Sequence, residues 1–135
     1  MGVRVVDTDV WSYLYKGSVE AKLYEPHLFN NILVISFQTE AELLRGAIAA
    51  NWGARRREHL ESRMRKYVVE PSSHRLSLFW AEAMDSAKHN GRPIAAADAW
   101  IAATALHLGV PLISHNRNHF LGVDGLTVIS ESCPS

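Results

Sequence analysis

Apolar and polar positions fall along this chain in two alternating kinds of block. The β-branched runs VRVV (3–6), ILVI (32–35), YVV (67–69), VPLI (110–113) and LTVI (126–129) have the length and composition of short buried strands. Helical spacing fills most of the intervals. A short helix is predicted from Val10 to Tyr15, closed by Gly17, and a weaker one over SVEAKLYEPHLF, where Pro26 interrupts or starts it. Ser36 is placed to cap a helix from Phe37 to about Asn51, with Gly53 near its C-terminal end. The segment GARRREHLESRMRKY predicts the next helix. Ser73 then caps HRLSLFWAEAMDSAKHNG, whose Leu76, Phe79, Trp80, Ala83 and Ala87 recur at core spacing. Last comes RPIAAADAWIAATALHLG, alanine-rich enough to pack closely on a sheet and ending at Gly109. Strands alternating with helices predict an α/β fold with a central, mainly parallel sheet.

At 135 residues, without linkers, repeats or low-complexity tracts, the chain should form one domain spanning 1–135. No apolar run approaches the roughly 18 residues needed to cross a bilayer, and the N-terminus lacks the features of a signal peptide, so a cytoplasmic protein is expected. The single Cys133 can form no internal disulfide and excludes a cysteine-built zinc site.

Charge matters by position. The first strand ends in two acids, Asp7 and Asp9, and parallel α/β sheets bind ligands outside the carboxyl ends of their strands. Asp98 is the only charge between Pro93 and Leu106, a costly placement unless the carboxylate is paired, protonated or bound to a cation. Glu42 lies at the margin of an apolar face, with Glu40 as its rival on another side of the same helix. Acids brought together repel unless something positive separates them. Oxygen donors without cysteines favour Mg²⁺ or Mn²⁺, and the matching chemistry is metal-assisted phosphodiester hydrolysis. Lysine plus arginine equals aspartate plus glutamate at 14 each, so no global field recruits nucleic acid. Locally, Arg55, Arg56 and Arg57 open a basic segment that is either a solvated helix face or a track for RNA phosphates. The four tryptophans are dispersed, and Trp80 and Trp100 match core faces rather than a base-stacking surface.

The order DTD (7–9), EAELLRGA (40–47), RPIAAADAWIAATAL (92–106) and LISHNRNHF (112–120) resembles the PIN-domain ribonucleases, specifically the VapC-type toxins of VapBC toxin–antitoxin pairs. The likeness covers nearly the whole chain. It implies a Rossmann-like three-layer α/β/α fold, Mg²⁺- or Mn²⁺-dependent endoribonuclease activity, a homodimer, and inhibition by a VapB-type antitoxin. By this resemblance Asp7 and Asp98 are the principal metal ligands, and Glu42 completes the cluster directly or through metal-bound water. Thr8 positions Asp7, and Asn116 fills a fourth catalytic position behind Ser114. An amide at 116 contributes no negative charge, which Asp9 could return. Arg117 is a candidate RNA-phosphate contact.

Two rivals follow from the same residues. VVDTDVW also fits the start of haloacid-dehalogenase-type phosphatases, with Asp7 as nucleophile and Asp9 as acid/base. Such an enzyme needs a lysine near the phosphate and a late acidic pair, and neither is evident in the sequence. The other is a non-catalytic RNA- or antitoxin-binding module of the same fold.

Overall fold

In the computed structural model, which describes residues 2–132, five strands form one all-parallel sheet. The strands are β1 (Val3–Val6), β2 (Ile32–Ser36), β3 (Val68–Glu70), β4 (Leu112–Ile113) and β5 (Val128–Ile129), in the spatial order β3-β2-β1-β4-β5. The helices are α1 (Thr8–Lys16), α2 (Ala21–Leu28), α3 (Phe37–Ala49), α4 (Ala54–Met64), α5 (His74–His89) and α6 (Ala96–Leu108), with a 3₁₀ turn at Arg117–Phe120. Cys133 lies outside the described residues.

The pleat sorts the strand residues between two cores. Val5, Val34 and Leu112 join Ala83, Ala87, Ala99, Ile101 and Ala102 of α5 and α6. Their chain neighbours Val6, Ile35 and Ile113 turn the other way and meet Val10, Trp11, Tyr24 and Leu60 of α1, α2 and α4. Strands buried on both faces read as continuous apolar runs, which is why their sequences show no alternation. In α6, alanine lets the helix lie close to the sheet. Its buried Thr104 is satisfied by donating its hydroxyl to the Trp100 carbonyl at 2.9 Å.

The predicted caps form at Ser36, which accepts from the Gln38 N–H at 3.1 Å, and at Ser73, which accepts from the Leu76 N–H at 3.0 Å. Gly17 and Gly109 close α1 and α6 at φ 66° and 67°, a left-handed conformation that suits glycine. Several boundaries differ from the sequence expectation, and Pro26 lies inside α2 instead of interrupting or starting it. Gly53 caps the start of α4 instead of ending α3, and α1 begins at Thr8 because Asp7 itself serves as its N-cap.

Topology already points to a site. The chain builds β1, β2 and β3 outward in one direction and then returns to place β4 on the other side of β1. The strand order therefore reverses between β1 and β4. In open parallel sheets the crevice outside the carboxyl ends at such a reversal is where ligands bind. Asp7 follows β1 there, and Ser114 follows β4.

Candidate active site

Asp7 and Ser114 meet across that reversal. The Ser114 hydroxyl donates to Asp7 Oδ2 at 2.7 Å, and the Thr8 backbone N–H donates to Oδ1 at 2.7 Å. Asp7 is only 5% exposed. Burial pushes its carboxyl up to about 8, with the charge of Asp9 adding to the rise; the Ser114 and Thr8 hydrogen bonds pull the other way, and Asp98 raises it further. The charges acting on Asp7 are thus both negative.

Asp98 sits in the first turn of α6, where the positive end of the helix favours an acid. Partial burial still raises its carboxyl, against the pull of His119, whose Nδ1 stands 3.4 Å from Oδ2. Glu42, on α3, is raised by partial burial; Gln38 and Thr8 hydrogen bonds oppose that, and Asp98 adds to it. Asp98 therefore acts electrostatically on both Asp7 and Glu42. The Thr8 hydroxyl points away from Asp7, toward Thr39 Oγ1 at 3.0 Å and Glu42 Oε1 at 3.4 Å. Its backbone, not its side chain, meets Asp7. Glu40 takes another direction and lines a cavity with Glu61, Arg65 and Tyr67.

Asp9 is differently employed. Its Oδ1 accepts from the Val10 N–H at 2.6 Å, while Oδ2 accepts from the His115 N–H at 3.1 Å and from Asn116 Nδ2 at 2.7 Å. The Asn116 N–H in turn donates to Ser114 Oγ at 3.0 Å. Asp7 and Asp9 together clamp the 114–116 loop. Asn116 Nδ2 is thus engaged by Asp9. The His115 ring is held between the Tyr24 hydroxyl, at Nδ1, and the edge of Tyr13.

The donor set suits a hard divalent ion. Its oxygens are carboxylates, and among the charges acting on Asp7, Glu42 and Asp98 only His119 is a potential cation. Among the described residues no three acidic, histidine or cysteine side chains converge into a ready-made metal cage. Mg²⁺ does not need one, since it keeps several waters and is commonly held by one or two carboxylates together with substrate phosphate. The two acid oxygens that a phosphatase would use are not both free, because Asp9 is bound to three donors.

The basic candidates divide. Arg55, Arg56 and Arg57 are exposed in the first turn of α4, and Arg56 lies 4.1 Å above the Trp52 ring. Arg117 Nη2 donates to the Ser130 carbonyl at 3.4 Å, tying it to the segment after β5. Sequence patterning carries no sign of His119 beside Asp98, of the Thr8–Thr39 hydroxyl contact or of Tyr15 beside Trp52. Each is a contact between segments distant in the chain.

The PIN domain profile matches residues 4–126. The chain is 31% identical over 126 residues to Ribonuclease VapC1 of Haemophilus influenzae strain R2866, covering 92% of this chain and 94% of that protein. Among solved structures, VapBC-1 from nontypeable Haemophilus influenzae superposes with a TM-score of 0.79 at 30% identity, covering 95% of this chain and 97% of that one. A DNA-bound VapBC from Salmonella typhimurium shares the fold, with a TM-score of 0.79 at 18% identity and coverage of 96% and 98%. Among the described residues no helix is long and apolar enough to cross a membrane.

Proposed function

The chain belongs to the PIN domain family, and from that premise we propose that it is a VapC-type toxin: a metal-dependent endoribonuclease restrained by a VapB-type antitoxin and acting as a homodimer. The observation that carries the reading is Asp7, buried at the β1/β4 reversal, with two negative charges acting on it and its carboxyl raised to about 8. A protein gains nothing in stability from such a placement; a cation at the site turns the same acid into a ligand. The relatives' names as ribonucleases and VapBC complexes support the substrate class and the partner.

In this reading Asp7 and Asp98 hold Mg²⁺ or Mn²⁺, and Glu42 joins directly or through water. The ion, when bound, supplies an activated water and offsets charge on the leaving oxygen of an RNA phosphodiester. The remaining work falls to the chain. Ser114 and the Thr8 N–H fix both oxygens of Asp7, so the carboxylate is presented without a search for its rotamer. The Thr8 hydroxyl and Gln38 steer Glu42, with Gln38 Nε2 at 3.4 Å from Oε1. Asp9 holds Asn116 so that its amide oxygen can orient water. Arg55, Arg57 and Arg117 supply charge for the RNA backbone.

The test is cleavage of a mixed cellular RNA pool by purified wild type and Asp98→Asn, each in Mg²⁺, Mn²⁺ or EDTA. Discrete fragments from wild type only, lost in EDTA, are the expected result. Full cleavage by Asp98→Asn, or cleavage indifferent to EDTA, would remove the assignment of the site; no cleavage by folded, antitoxin-free wild type would favour the binding-module alternative.

A further inference from the structure

The helix α2 carries a buried tyrosine that the chemistry above does not use. Tyr24 is fully buried in the core shared with α1, α4 and one face of the sheet, yet its hydroxyl joins two segments that lie 91 and 107 positions away in the chain. The Glu131 N–H donates to it at 2.9 Å, and it meets the ring of His115 at Nδ1. One of these segments is the strap after β5, residues 130–132; the other is the loop after β4. The strap is pinned twice more, by Arg117 Nη2 on the Ser130 carbonyl at 3.4 Å and by His27 Nε2 beside Glu131 Oε1 at 2.8 Å. Burial raises the Tyr24 phenol above its usual range, so the hydroxyl keeps its proton. Having accepted from Glu131, it has that proton to give to His115 Nδ1, which places the imidazole proton on Nε2.

We propose that Tyr24 is a positioning residue for RNA cleavage: its hydroxyl locks His115, and with it the loop that sets Ser114 against Asp7 and Asn116 against Asp9. The inference rests on the ribonuclease reading and deepens it. His115 is the residue between the two that face the acids. Ser114 donates its hydroxyl to Asp7, Asn116 donates its amide to Asp9, and the His115 backbone N–H donates to Asp9 as well. The acids thus hold the loop at Ser114, at Asn116 and by its backbone, while Tyr24 holds the side chain between them. The edges of Tyr24 and Tyr13 both meet the His115 ring, at 5.6 Å and 83° and at 5.5 Å and 89° between centroids and planes. Released from Tyr24, the loop could turn on the bonds to the acids, and Ser114 and Asn116 would move with it. Packing explains the ring of Tyr24 but not its hydroxyl, because phenylalanine fills the same core and leaves no polar atom to satisfy.

Tyr24→Phe removes the hydroxyl and keeps the ring. Its kcat for RNA cleavage in Mn²⁺ should fall about tenfold with KM almost unchanged, since partners that orient the groups of a metal site are typically worth about 10- to 100-fold and Tyr24 itself is out of reach of RNA. Glu131→Pro deletes the N–H at the other end of the link, so the double variant should lose no more than the worse single one. Ala21→Gly, which removes a buried methyl from the same helix, is the control for stability: it should lower the melting temperature and leave kcat alone. The ¹⁵N resonances of His115 read the link without cleavage, showing the Nε2–H form in wild type and loss of that preference in Tyr24→Phe. Unchanged kcat in Tyr24→Phe, an equal kcat loss in Ala21→Gly, multiplying losses in the double variant, or a wild-type His115 protonated on Nδ1 each overturns the proposal. If folded, antitoxin-free wild type cleaves no RNA, the ribonuclease reading falls by itself. Faster hydrogen exchange at the His115 and Asn116 amides in Tyr24→Phe would then uphold the lock on the loop, and unchanged exchange would overturn it.

Discussion

The end of β1 and the first turn of α1 each carry one aspartate, two residues apart, and the fold treats them oppositely. Asp7 is buried with two hydrogen bonds and two negative charges acting on it, and its carboxyl rises to about 8. Asp9 is half-buried and bound to the N–H groups of Val10 and His115 and to the Asn116 amide. One acid is left in need of a positive charge; the other is used as a strut for the loop after β4. Proximity in sequence does not make two acids equivalent, because what each one does is set by the donors that distant segments bring to it.

The largest effect that would break this comparison is on catalysis. Asp7→Asn and Asp98→Asn should each lower RNA cleavage by about a thousandfold, since each removes a charged ligand from a metal that supplies several kcal/mol of transition-state stabilisation. Without divalent ions, Asp7→Asn should also melt higher than wild type at pH 8, because it deletes a buried charge while keeping the side chain's shape. A lower melting temperature there would show that Asp7, like Asp9, is held mainly for structure.

Stability against pH sharpens the contrast next. Asp7 binds its proton up to about pH 8 in the folded chain but only to about 3.8 when unfolded. Between those values the native state holds more protons, so in EDTA stability should fall as pH rises, with the cost absent below about pH 4 and complete above about pH 8. The raised carboxyls of Asp98, Glu42 and Asp9 act in the same direction. Mg²⁺ should flatten the slope by binding the ionised native state, and Asp7→Asn should reduce it. Urea titrations from pH 4.5 to 8.5 measure both; a slope of the opposite sign would refute the account of Asp7.

A smaller effect belongs to Asp9 and Asn116. Asn116→Asp alone places a second carboxylate 2.7 Å from where Asp9 now accepts a hydrogen bond, and should cost about 0.5–1.5 kcal/mol. Adding Asp9→Asn restores a donor to face the new acid. The double variant should recover part of that loss, with a coupling of about 0.5–3 kcal/mol. Additive losses in a double-mutant cycle would mean that the two side chains do not act as a pair.

The strands and their parallel arrangement were legible because a sheet buried on both faces forces β-branched runs, and α6 was legible because its buried face is mostly alanine. Short strands were harder at their ends: VPLI and LTVI contribute only Leu112–Ile113 and Val128–Ile129. Glu42 and Glu40 could not be separated by pattern alone. Two residues on a helix differ by about 200° of rotation, and tertiary packing decides which side faces Asp98. Asp98 was visible as a charge in an apolar stretch. His119 beside it, Tyr15 beside Trp52, and the Asp9–Asn116 bond were not, because no local periodicity encodes contacts between residues 21, 37 and 107 positions apart.

The smallest expected effect concerns the other reading of the basic segment. Arg55 and Arg57 are exposed and lie in the same turn as Arg56. If they follow the RNA backbone, each releases counterions on binding, and replacing either with glutamine should lower the slope of log affinity against log salt by about 0.7. The fold should not notice, since exposed charges of this kind contribute little to stability. This separates them from the acids, whose substitution changes stability and cleavage together. Binding of a catalytically silent Asp98→Asn protein to single-stranded RNA, measured across salt concentrations, reads the slope without cleavage. An unchanged slope in the double variant Arg55→Gln/Arg57→Gln makes that turn of α4 a solvated helix face.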